Sequence, residues 1–81
     1  MRVSFIDDFG NPLTTVDIDS GMELENVMAL LEAESGIPVS EQAISFDGRE
    51  LPNPESTMSA LGVTDGALLT LRRKVNNTGG R

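Results

Sequence analysis

Hydrophobic and polar residues change period along this chain, and each change marks an element. Met1, Val3 and Phe5 alternate with Arg2, Ser4 and Ile6, the period of a half-buried strand. Asp7-Asp8-Phe9-Gly10-Asn11-Pro12 is a turn cluster, with glycine for an unusual φ and proline to end ladder pairing. Alternation resumes over Thr14 to Ile18 with Val16 and Ile18 inward, so the two runs predict a hairpin. The spacing of Leu24, Val27 and Leu31, widened by Met28, then predicts an amphipathic helix from about 24 to 35. Glu23 and Glu25 place negative charge at its start, where the helix dipole favours it. Gly36 and Pro38 stop it, since glycine accepts the left-handed terminal conformation and proline cannot continue a helix.

Beyond the helix, Ile44 and Phe46 face inward on a third strand, and Asp47-Gly48 is a favoured hairpin turn. Pro52-Asn53-Pro54 predicts an irregular loop, Met58 to Leu61 a single helical turn ended by Gly62, and Asp65-Gly66 another turn. Ala67 to Arg72 forms the last strand, with Leu69 and Leu71 inward. Val75 to Arg81 has no periodicity and reads as a flexible tail or linker, so the domain is placed at 1–74 and the tail at 75–81. One helix lying across a small mixed sheet of four or five strands is the arrangement these elements allow. That is an α+β domain of the β-grasp kind.

Composition narrows the chemistry. A domain of 81 residues buries only about 60% of its extended-chain surface, enough for one core and no second one. Cysteine and histidine are both absent. Disulfides, thiolate nucleophiles, iron–sulfur clusters and the usual zinc sites are therefore excluded, as is the commonest general base at neutral pH. No cofactor is expected. The start has no signal-peptide pattern and no apolar run approaches the ~18 residues of a membrane span, so a cytoplasmic location, with the nucleus as an alternative, is expected. Asn76-Asn77-Thr78 matches a glycosylation sequon, read here as chance.

Net charge is −7, and the charge is unevenly placed. All thirteen acids lie between Asp7 and Asp65, while Arg72, Arg73, Lys74 and Arg81 cluster at the end. From Val3 to Leu71, thirteen negative charges face Arg49 alone, which leaves −12. Nucleic acid is a poor partner for such a body, because phosphate contacts dominate that affinity. A basic protein surface suits it, through steering of encounter, although acids also simply keep a small domain soluble.

The order and spacing of several motifs resemble ubiquitin: Glu25-Asn26-Val27, Gly36-Ile37-Pro38, Gln42, Phe46-x-Gly48-Arg49-x-Leu51 and Leu69-x-Leu71. The resemblance covers residues 1 to about 73, with one extra residue near the first turn and one near Pro52. Within that superfamily, Ala29-Leu30-Leu31-Glu32-Ala33-Glu34-Ser35-Gly36-Ile37-Pro38 is most similar to the N-terminal ubiquitin-like domain of Ddi-type DNA-damage-inducible shuttle proteins, especially fungal ones. That resemblance implies a fragment of a longer protein with a retroviral-type aspartic protease region elsewhere. It also implies a non-catalytic module binding ubiquitin or proteasome receptor subunits, monomeric when isolated.

Asp19-Ser20-Gly21 matches the aspartic-protease triplet, but catalysis there needs two carboxylates sharing a proton in a cleft. One copy on an exposed connection is read as chance. The resemblance carries ubiquitin's apolar recognition patch onto Phe9, Ser45, Thr70 and Arg72. With Ser45 and Arg72 polar, a shifted patch of Ile6, Phe9 and Leu68, ringed by Asp7, Asp8 and Asp47, is the expected binding surface. Asp47, Gly48 and Arg49 complete the candidate partner-binding set. Gly79-Gly80 raises an alternative, a conjugated modifier trimmed at Gly80, although Arg81 follows it and a long spacer precedes it.

Overall fold

A computed structural model describes residues 1–51 and 53–74. Strands β1 (Arg2–Ile6), β2 (Pro12–Asp17), β3 (Gln42–Phe46), β4 (Arg49–Glu50) and β5 (Leu68–Arg73) form one mixed sheet in the order β2-β1-β5-β3-β4. Helix α1 (Leu24–Ser35) covers one face, and a 3-10 turn, η1 (Val39–Glu41), leads into β3. β1 and β5 pair in parallel at the centre, with Phe5 beside Leu69, and the other pairings are antiparallel. The expected tail with Asn76-Asn77-Thr78 and Gly79-Gly80 lies outside the described residues, as does Pro52.

The core forms where the apolar stripe of α1 meets the inward face of the sheet. Leu24, Val27 and Leu31 pack with Val3, Phe5, Ile18, Ile44, Leu69 and Leu71. Met58 and Val63, from the connection before β5, close the assembly and are fully buried. Met58 was expected only as part of a local turn. Its burial shows that this segment is a lid over the helix–sheet seam, worth about 1.5–3 kcal/mol per large side chain removed from water.

The N-terminal end of α1 is fixed by long-range partners, and its middle by Gln42. No side chain caps the N-terminus. Instead the Leu24 and Glu25 amides donate to the carbonyls of Ser56 (2.9 Å) and Pro54 (2.8 Å), satisfying groups a helix start leaves unpaired. Gly36 ends the helix at φ 79°, and its amide donates to the Glu32 carbonyl. Gln42 then ties the middle of the helix to the chain just past its end. Its Nε2 donates to the carbonyls of Met28 (2.8 Å) and Ile37 (3.0 Å), while the residue is 1% exposed.

Several strand boundaries differ from the alternation. β2 begins at Pro12 rather than Thr14, and β5 extends to Arg73. Pro12 is tolerated because β2 is an edge strand, where a missing amide breaks no ladder. Between Phe5 and Ile6 the register shifts: Phe5 faces Thr14 but Ile6 faces Pro12, so Leu13 is the extra residue of a bulge. The preceding loop is held by Asp7. Its Oδ1 accepts the amides of Phe9 (2.9 Å) and Asn11 (2.8 Å), and its Oδ2 the Asn11 side chain (3.3 Å). The Asn11 amide, opposed by slight desolvation and helped by Phe9, holds the Asp7 carboxyl below its ordinary range.

Gln42→Met keeps the volume but removes the donor from two part-buried carbonyls, those of Met28 and Ile37; we expect a loss of about 1–3 kcal/mol in urea-unfolding free energy. For Asp7, the folded pKa lies below the unfolded one, so its contribution is complete above the unfolded value. It is lost as pH falls through the folded value. In an acid titration followed by NMR, the Phe9 and Asn11 amides should move together, with a midpoint below that of an ordinary aspartate. Asp7→Asn should abolish that transition.

Candidate functional site

Because one helix covers one face of the sheet, the other face meets solvent. Its residues follow from strand parity. On β1, Val3 and Phe5 turn inward, leaving Ser4 and Ile6 outward; on β5, Leu69 and Leu71 turn inward, leaving Leu68, Thr70 and Arg72 outward. The register sets Ile6 beside Thr70 and Thr70 beside Ser45, a row crossing β1, β5 and β3. Leu68 stands beside Ser4, diagonal to Ile6, one residue before the Leu69–Phe46 pair that ends the β5–β3 ladder.

The apolar content of this face lies toward β1 and β2. Leu68 is 54% exposed and Phe9, on the loop held by Asp7, is 85% exposed. Leu13, absent from the sequence-based set, is 42% exposed; the bulge lays it across from Ile6 on the outer side. Parity alone carried that signal, since Thr14, Val16 and Ile18 inward leave Leu13 outward. Ile6 itself is half-buried. A hydroxyl pair, Ser4 Oγ and Thr15 Oγ1 at 3.2 Å, floors the same region.

The β3–β4 side is polar. Ser45 and Thr70 are half-buried in the central row. Arg72 does not stand free: its guanidinium lies 3.2 Å from the Glu50 carboxylate, and both are about half exposed. Glu50 shares the outer face because it pairs with Ser45. Arg49 pairs with Phe46 and so belongs to the helix side of the sheet edge, not to the outer face where the sequence-based set placed it. Asp47 (φ 57°) and Gly48 (φ 82°) form a two-residue turn with both φ positive, a type I′ hairpin at the rim of the face.

Among the described residues no catalytic constellation accompanies this surface. Asp19, Ser20 and Gly21 are exposed in a turn before α1, where the Ser20 carbonyl accepts the Ser59 amide (2.8 Å). Among the described residues no group of three or more metal-ligating side chains converges. No helix among them is long and apolar enough to cross a membrane. The face can act by contact: apolar side chains toward β1 and β2, hydroxyls in the central row, and an ion pair toward β4.

Comparison with known proteins agrees with this geometry. The model of the ubiquitin family matches residues 5–76. The chain is 44% identical over 62 residues to Protein DNA-DAMAGE INDUCIBLE 1 of Arabidopsis thaliana, covering 76% of this chain and 15% of that protein. It is 37% identical over 62 residues to human Protein DDI1 homolog 2, with 76% and 16% covered. The DNA damage-inducible protein 1 of the fungus Yarrowia lipolytica is 30% identical over 61 residues, with 73% and 15% covered. The chain thus spans about 15% of the length of these relatives. Among solved structures, the ubiquitin-like domain of Plasmodium falciparum Dsk2 superposes with a TM-score of 0.80 at 30% identity, over 91% of this chain and 97% of that one. The described fold, the family match and these likenesses together make this chain a ubiquitin-like β-grasp domain, a member of the ubiquitin family similar to the DNA-damage-inducible proteins.

Proposed function

We propose that this domain is the interaction module of a ubiquitin–proteasome shuttle factor, binding ubiquitin or proteasome receptor subunits through the outer sheet face. The observation that carries the reading is Leu68, an exposed leucine on the central β5 strand, with Ile6 and Leu13 on the same side and exposed Phe9 on the loop between β1 and β2. A sheet face that gathers large apolar residues inside a margin of Asp7, Asp8 and Asp47 suits a partner whose apolar centre has a basic rim. Ubiquitin's own recognition face has that character, which favours ubiquitin over a receptor with an acidic margin. Likeness to the DNA-damage-inducible proteins and to a Dsk2 domain supports the pathway assignment.

The polar half of the face limits affinity. Ser45 offers little apolar area, and the Arg72–Glu50 pair must stay solvated or be covered by matched polar groups. Binding is therefore weak and fast-exchanging, with a monomeric free domain, since a body of −12 disfavours self-contact through an acidic rim. The parent protein would carry an aspartic protease region beyond this domain and work in the cytoplasm or nucleus. The modifier alternative rests on Gly79-Gly80, outside the described residues, and no observed geometry favours it.

Isotope-labelled chain titrated with ubiquitin, and separately with a proteasomal receptor, should show fast-exchange shifts at Ile6, Ser45, Leu68 and Thr70 in at least one case. Undisturbed signals there in both titrations would remove the surface. Leu68→Thr keeps strand propensity but strips apolar area, so affinity should fall about fivefold, roughly 1 kcal/mol, while unfolding free energy changes by less than about 0.5 kcal/mol. If the acids steer encounter, raising salt should slow association far more than dissociation.

A further inference from the structure

The cations of this domain are chemically uneven. Arg2, Arg49, Arg72, Arg73 and Arg81 carry guanidinium groups, and Lys74 is the one lysine in the sequence. A guanidinium keeps its charge at every accessible pH and does not act as an amine nucleophile, whereas a lysine ε-amine is the usual acceptor in acetylation and ubiquitination. The domain therefore keeps positive charge for its ion pairs, Arg72 with Glu50 and Arg73 with Glu41, without offering acyl acceptors on the sheet.

The other amine in the described structure is engaged. The Met1 α-ammonium donates to the Ile18 carbonyl at 2.8 Å and lies 3.3 Å from the Asp17 carboxylate. Deprotonating and acylating it would sacrifice both contacts. Lys74, in contrast, is exposed just past the end of β5, and its backbone amide is fixed to the Glu41 carbonyl at 2.6 Å. Its main chain is thus held at the end of the sheet while its side chain reaches solvent.

Position along β5 matters as much as exposure. Leu68 begins the strand and Lys74 follows its end, so the two lie roughly 20 Å apart at the usual rise per strand residue. A group joined to Lys74 leaves the Ile6–Leu68 region open. Attachment and outer-face recognition are then compatible on one molecule.

We propose that Lys74 is the single acyl-acceptor site of this domain, taking the C-terminal carboxyl of a ubiquitin-family protein as an isopeptide, at a place that leaves the outer sheet face free. The inference rests on the shuttle reading above, which brings the domain repeatedly into the presence of ubiquitin carriers. In the step, the neutral ε-amine attacks the thioester carbon of a charged carrier protein. A C–N bond forms, the C–S bond breaks, the carrier leaves as thiolate, and the amine's proton passes to water.

The 81-residue chain incubated with a ubiquitin-charged conjugating enzyme should gain one ubiquitin, mapped to Lys74 by peptide mass spectrometry. Lys74→Arg should lose that adduct, and adding Arg2→Lys to it should restore an adduct at the new lysine. A persistent adduct on Lys74→Arg, at the Met1 amine or a hydroxyl, would overturn the assignment; so would an absence of adduct on the unaltered chain. The purified Lys74 adduct should give, on titration with ubiquitin, the same shifts at Ile6 and Leu68 as the unmodified chain; their loss would refute the claim of an unobstructed face. If the unmodified chain gives no such shifts, the shuttle reading fails, while the mapping at Lys74 is decided separately.

Discussion

The burial of one helical stripe against one sheet face governs this molecule. Leu24, Val27 and Leu31 have a single surface to cover, and covering it consumes every inward residue of β1, β3 and β5. Among the described residues there is no second helix to cover the reverse side. A domain built this way must leave a sheet exposed, and its sequence there has to be compatible with water while retaining whatever contact chemistry it needs. Hydroxyls at Ser4, Thr15, Ser45 and Thr70 supply the first requirement, and Leu13, Leu68 and Phe9 the second.

Support for the helix comes from distant chain. Carbonyls of Pro54 and Ser56 meet its first amides, Gln42 holds the Met28 carbonyl in mid-helix and the Ile37 carbonyl just past the end, and Met58 joins the core it shares with the sheet. These contacts explain why a long connection with little regular structure is nonetheless part of the folded unit. They also divide labour. The helix side of the sheet is crowded with fixed hydrogen bonds, whereas the outer face carries side chains tied mainly to the strands beneath them.

What could be read from residues alone was whatever local chemistry decides. Gly36 and Pro38 stop the helix because of their own backbone preferences, and Asp47-Gly48 makes its turn for the same reason. Outward Ile6 and Leu68 followed from alternation. The outward side of Leu13 follows from the same parity, but its place beside Ile6 does not, because the bulge depends on a register between two strands. Arg49 was misplaced for a related reason: a two-residue turn pairs 46 with 49, which sends Arg49 to the helix side. The Arg72–Glu50 pair bridges strands far apart in sequence, and neither residue type announces its partner. The roles of Met58 and Val63 were hidden likewise, since their burial is created by tertiary closure and not by any period of their own.

The two strands nearest the chain's ends, β1 and β5, lie side by side in parallel at the middle of the sheet, joined through Ser4–Leu68, Phe5–Leu69 and Ile6–Thr70. Tension drawn outward from the two ends of the domain therefore does not peel this ladder open from one side. It slides one strand along the other and strains the bonds between them collectively, with α1 and the buried side chains resisting as well. In a parallel pair loaded from its opposite ends the ladder bonds share the force, so parting β1 from β5 requires them to yield together rather than one at a time.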